Sequence, residues 1–165
     1  MNRHRLILAL VSLAGVIYAC APYHQENARY QLSTGNPENA AYEIEAALRS
    51  DPKNLQLKHE AAEIFTRRGQ QEYDRDEMIA AQADFMKALY YEPTYAQAAD
   101  YLGLIAFSQH DWQNAISYGK KAAGLTGQPD PTYVLQAEEE LRKVQAGGIK
   151  PYRVPRRRHY YRDTY

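Results

Sequence analysis

The chain contains one thiol, Cys20, which closes the stretch VIYAC at residues 16–20. A lone cysteine cannot form an internal disulfide, so its chemistry must involve another molecule. The other groups capable of chemistry do not assemble. His4, His24, His59, His110 and His159 are scattered, with no pair at the helical spacing that puts two imidazoles on one metal. Glu138-Glu139-Glu140 is a run of neighbours, which a helix turns toward different faces; it reads as a solvated surface rather than an acid–base pair. Gly35, Gly69 and Gly103 stand singly, so no glycine-rich phosphate loop is present. These patterns exclude the common hydrolytic, metal-dependent and phosphate-binding classes. A non-enzymatic protein with no cofactor and no metal is expected.

The surroundings of Cys20 narrow its role. Arg3, His4 and Arg5 form a basic start, and residues 6–19 (LILALVSLAGVIYA) carry no charge. An apolar run of this length is short of the roughly 20 residues needed to span a bilayer, but suits the core of a secretory signal peptide. Its end, Ile17-Tyr18-Ala19-Cys20, resembles the lipobox of bacterial lipoproteins. Tyr18 is bulkier than usual there, whereas Ile17, Ala19 and Cys20 fit. The resemblance implies a signal peptide at 1–19, cleavage before Cys20, a diacylglyceryl thioether on its sulfur and a further acyl chain on the new N-terminus. Two or more acyl chains anchor a protein stably where one does so only marginally. Ala21 stands where the family's retention signal would place aspartate, so the resemblance implies anchoring at the periplasmic face of the outer membrane rather than the inner.

The formal net charge of zero conceals a division. Residues 21–146 hold 12 Lys plus Arg against 19 Asp plus Glu, a balance of −7. Residues 147–165 hold six basic residues against Asp163, a balance of +5, with Arg156, Arg157 and Arg158 at the centre. Proline, glycine and high charge in this tail predict disorder. Its basic and tyrosine-rich composition would suit anionic lipid, the cell wall or an acidic partner; nucleic acid is not expected for an exported protein.

The body between these ends is patterned for helices. Ala40, Ala41, Ile44, Ala47 and Leu48 form one apolar stripe, and Met78, Ala81, Phe85, Ala88 and Leu89 another. Asn36-Pro37 and Asp130-Pro131 read as a capping side chain before a proline at the first helical position. Ala62, Gly69, Ala81 and Ala88 have small counterparts 34 positions later at Ala96, Gly103, Ala115 and Ala122. The segment 98–122, with Leu102-Gly103, Ala115 and Ala122, resembles a tetratricopeptide repeat (TPR), and residues 21–54 look like an earlier copy with Ala28, Gly35, Ala40, Ala47 and Pro52 in register. Gly119 departs from the pattern, which usually places a bulky residue there. The interval from Pro52 to Pro93 is 41, and the seven extra residues are assigned to the first helix of the second repeat. The resemblance implies an all-α helical-hairpin solenoid of about three repeats over residues 21–130, with Gly103 facing Ala115 and a capping helix at 131–146.

Such arrays act through the concave groove lined by the first helix of each repeat. Carried over position by position, the groove contains Gln25 and Arg29 from the first repeat, then Glu63, Thr66, Tyr73 and Asp74. Gln97, Asp100, Leu104 and Phe107 follow from the third. Acidic groups with Tyr73 and Phe107 as stacking surfaces would suit a partner segment carrying Lys or Arg. The resemblance extends to small TPR lipoproteins of pilus or secretin assembly, including pilotin-type and Tad-type proteins. It implies a protein-binding scaffold in envelope assembly. An adaptor recruiting peptidoglycan enzymes and a tether contacting the cell wall through the tail are the alternatives.

Overall fold

The computed structural model describes residues 22–147. Cys20, the apolar run before it and the tail arginines Arg156, Arg157 and Arg158 lie outside the described residues. Seven helices and no strand occur among those described: α1 (helical at 22–33), α2 (Pro37–Ser50), α3 (Leu55–Asp74), α4 (Met78–Tyr91), α5 (Ala96–Ser108), α6 (Trp112–Thr126) and α7 (Thr132–Gln145).

Local chemistry sets most of the boundaries. Asn36 accepts a hydrogen bond from Asn39 N at 3.2 Å with Pro37 at the first helical position, and so starts α2. Asn54 accepts from Gln56 N and Leu57 N at 3.0 and 3.2 Å at the head of α3, and Asp111 accepts from Asn114 N at 3.2 Å at the head of α6. Asp130 does not play this part for α7. That helix begins one residue later, behind Pro131, with no side-chain cap.

The turn inside each hairpin uses a left-handed residue: Gly35 (φ 78°), Asp76 (φ 63°) and His110 (φ 58°). These lie 41 and 34 positions apart, so the turns themselves carry the repeat. They also correct the alignment of the first copy. Gly35 is a turn residue equivalent to Asp76, not the counterpart of Gly69, which lies in mid-helix. The extra length sits in α3, which has 20 residues against 13 in α5.

The described chain divides into two compact units, one ending at Ala99 and the other beginning at Asp100. In the first, Ile44 of α2, Leu57, Ile64 and Phe65 of α3, and Phe85 of α4 are fully buried with a set of alanines between them. The α3/α4 hairpin closes tightly at Gly69, where a Cβ would stand 2.9 Å from Phe85 Cε1. In the second unit Ala106, Ala115 and Ala137 pack together, flanked by Phe107, Trp112 and Ile116. Gly103, expected opposite Ala115, has α7 as its nearest neighbour. The atoms nearest its missing side chain belong to Tyr133 of α7, and those nearest Gly119 to Val134 and Tyr133. A Cβ at Gly119 would overlap Val134 Cγ2 outright. Gly119 is therefore a requirement of α7 docking, where the sequence pattern reads only a departure.

Candidate functional site

The residues expected to form a binding groove have different neighbours in the two units. In the first, Arg29 on α1 is half-exposed and paired with Glu60 of α3. Gln25 donates to the same carboxylate oxygen at 2.9 Å, and Gln56 donates to it at 3.2 Å. Glu60 thus joins α1 to α3, and its hydrogen bond and charge push the Arg29 guanidinium pKa up. Glu60 carries no local sequence signal of this role. It lies only three positions before Glu63, but nothing local links it to Arg29, 31 residues earlier.

Glu63 is partly exposed and reaches Arg67, one turn on, at 3.6 Å. Tyr73 is half-buried and Asp74 is exposed. Gln97, at the start of α5, is exposed. Thr66 does not line a surface: it is 1% exposed and its hydroxyl has no hydrogen-bond partner. A second feature of α3 faces α4. Arg68 donates to both oxygens of Asp84, from Nε at 2.5 Å and from the guanidinium end at 2.6 Å. Asp84 is only 5% exposed, so this two-pronged charge-assisted contact satisfies a carboxylate that would otherwise be costly to bury. Glu72 lies beside it. Burial, and then the neighbouring Asp84 charge, push its carboxyl above the usual range, while Arg68 opposes them.

In the second unit two of the expected groove residues, Asp100 and Phe107, meet α7. Asp100 accepts a hydrogen bond from the Tyr133 hydroxyl at 2.8 Å, and its own backbone carbonyl lies 3.3 Å from the same hydroxyl. Burial, followed by the Asp100 hydrogen bond and charge, pushes the Tyr133 phenol well above its ordinary range. Phe107 is half-buried, edge-on to Trp112 at 5.4 Å and tilted against Tyr133 at 6.0 Å. Its ring fills space in the core. Leu104 is half-buried on the same helix. Asp100 and Phe107 are thus committed to internal contacts, whereas Glu63, Asp74 and Gln97 retain exposed polar surface.

Among the described residues no group of three or more His, Cys, Asp or Glu is placed to hold a metal ion. None of the described helices is long and apolar enough to cross a membrane.

The described residues are thus all-α, built from helical hairpins that resemble tetratricopeptide repeats. No family model matches the sequence, and no curated protein matches it significantly. Solved structures do resemble it. The Sgt2 TPR domain from Aspergillus fumigatus is 18% identical, with 79% of this chain and 85% of that chain covered and a TM-score of 0.45. The first TPR of Spaghetti (RPAP3), bound to an HSP90 peptide, is 20% identical over 77% of this chain and 91% of that chain, with a TM-score of 0.44. The MamA protein is 18% identical over 79% and 96%, with a TM-score of 0.37.

Proposed function

We propose that this chain is a lipid-anchored protein whose helical hairpins are a protein-binding scaffold for envelope machinery such as a pilus or secretion system. The observation that carries the reading is the sequence Ile17-Tyr18-Ala19-Cys20, which closes the uncharged run of residues 6–19 and stands just before the first described helix. Acylation of Cys20 would hold the hairpins at the periplasmic face of the outer membrane, where a scaffold meets exported subunits. Exposed or half-exposed Glu63, Asp74 and Gln97, with Tyr73 nearby, support a basic partner segment. A tether reading is favoured by one separate feature, the +5 balance of residues 147–165. In that reading Arg156, Arg157 and Arg158 contact cell-wall carboxylates or anionic lipid.

Metabolic labelling with radioactive palmitate tests the anchor. The wild-type chain should take up label and fractionate with membranes, and Cys20→Ser should do neither. Label retained by the Cys20→Ser chain would refute the assignment.

A further inference from the structure

A cleft of about 620 Å³ opens in the first unit, where the ends of α2 and α4 meet the first turns of α3. Arg49, Lys58, Tyr90 and Tyr91 line it together with Leu48 and Pro52. A smaller hollow of about 270 Å³ adjoins it, sharing Lys58 and Tyr91 and adding Leu55 and Pro93.

Residues 22–99 hold 13 carboxylates against 8 Lys and Arg. Four of these eight cations, Arg29, Arg67, Arg68 and Lys87, are paired, on Glu60, Glu63, Asp84 and Glu45. Arg49 and Lys58 have no carboxylate in ion-pair range among the described residues. The carboxylates bordering the cavities are already engaged. Glu45 is bound by Lys87, and Glu92 is hydrogen-bonded to His59 Nδ1 at 2.6 Å. The cleft and its neighbour therefore present two cations without carboxylate partners, Arg49 and Lys58, beside two carboxylates that are already engaged.

Its floor is aromatic and held in place. Tyr91 stacks on the fully buried Phe65 with ring centroids 5.7 Å apart and planes 20° apart. Tyr90 stands edge-on to Tyr91 at 5.2 Å and is 79% exposed, as is Leu55 beside the smaller hollow. Tyr90 and Leu55 thus place exposed apolar surface at the two adjoining hollows, beside the two cations that lack carboxylate partners.

We propose that this cleft binds an extended acidic segment of a partner protein. Its carboxylates would meet Arg49 and Lys58, and an aliphatic or aromatic side chain would lie over Tyr90, Tyr91 and Leu55. A free inorganic anion would use the two cations but leave Tyr90 and Leu55 in water. The two adjoining hollows suit a ligand longer than one side chain. The occupant's charge is opposite to that expected for a partner of the Glu63 and Asp74 face, so this is a second surface, and it stands whether or not Cys20 is acylated.

The test uses the full chain in detergent and a fluorescein-labelled peptide of alternating glutamate and leucine, followed by anisotropy. The same peptide with lysine for glutamate is the control. The acidic peptide should bind, and raising the salt should weaken it. Arg49→Glu with Lys58→Glu should weaken it by about tenfold or more, since charge-assisted contacts are lost and repulsion is added. Tyr90→Ala should weaken it several-fold, and Lys53→Glu, an exposed cation outside the cleft, should leave it unchanged. Circular dichroism establishes that each variant stays helical. Equal binding of the lysine peptide, or an equal loss with Lys53→Glu, would overturn the proposal. So would displacement by inorganic phosphate with no effect of Tyr90→Ala, which would assign a small anion. A dimer in sedimentation that the double charge reversal dissociates would assign the cleft to a second copy of the chain.

Discussion

The α3/α4 and α5/α6 hairpins share a 34-residue register yet fill the same internal space from different sources. In the first, mid-helix Gly69 meets Phe85, a ring supplied by the opposite helix of its own hairpin. In the second, Gly103 is the counterpart of Gly69, and the position equivalent to Phe85 is Gly119. The missing ring is supplied by Tyr133 of α7, whose edge stands 3.1 Å from where a Cβ would lie on either glycine. A glycine in mid-helix costs roughly 1 kcal/mol relative to alanine. Here it makes room for α7, whose Tyr133 and Val134 become 9% and 0% exposed. The last hairpin is thus built to receive another helix, whereas α3/α4 is self-filled at this point. Terminal helices of repeat arrays have this task, because each repeat buries its apolar face only against a neighbour.

The comparison is broken most severely by removing the two rings. Phe85→Ala and Tyr133→Ala should each cost about 3–5 kcal/mol in denaturant unfolding, as for other buried aromatic truncations. Next in size is Gly119→Phe, which places a ring where α4 carries one. Alone it should overpack against Val134 and Tyr133 and cost about 1–3 kcal/mol. Combined with Tyr133→Ala, it should be less destabilising than the sum of the two changes, because each makes room for the other. Strict additivity would show that the two sites do not exchange the same space.

Smaller again is Tyr133→Phe, which leaves the ring and removes the hydrogen bond to Asp100, for about 1 kcal/mol near neutral pH. The folded state raises this phenol's pKa, so its contribution is complete below the unfolded value of 10.0 and is lost as pH rises through the folded value. Unfolding curves at rising alkaline pH should therefore show wild type losing its advantage over Tyr133→Phe. The smallest effect is expected at Glu72, next to the Arg68–Asp84 pair. Its pKa is also raised, so the ionised form weakens the fold above the ordinary carboxyl value of 4.5. Glu72→Gln should slightly raise the unfolding midpoint at pH 7, with the gain shrinking as pH falls through the raised folded value and gone below 4.5.

Much of the fold was legible because its causes are local. The period-3.6 stripes, the Asn36-Pro37 cap and the long first helix of the second repeat all follow from neighbours in sequence. The misreadings have non-local causes. Gly119 looks like a lapse until Val134, 15 residues on, is seen against it. Asp130 resembles a cap, but Pro131 leads into the helix without one. Gly35 matches Gly69 by spacing, yet its positive φ makes it the partner of Asp76 and His110. Thr66 and Phe107 fall at groove positions by alignment, while Thr66 is buried and Phe107 fills core space against Trp112 and Tyr133. Glu60, the hub of α1 and α3, was invisible because its partners lie 31 and 35 positions away. The Arg49 and Lys58 cleft was missed for the same reason, being assembled from the ends of three helices.

The central functional claim is that lipidation at Cys20 delivers these hairpins to an envelope assembly machine. Cross-linking in intact cells, followed by affinity purification from solubilised envelopes, tests it most directly. Secretin or pilin subunits should be recovered with the wild-type chain and lost with Cys20→Ser. Recovery of a peptidoglycan hydrolase or of muropeptides alone, or unchanged recovery with Cys20→Ser, would contradict it.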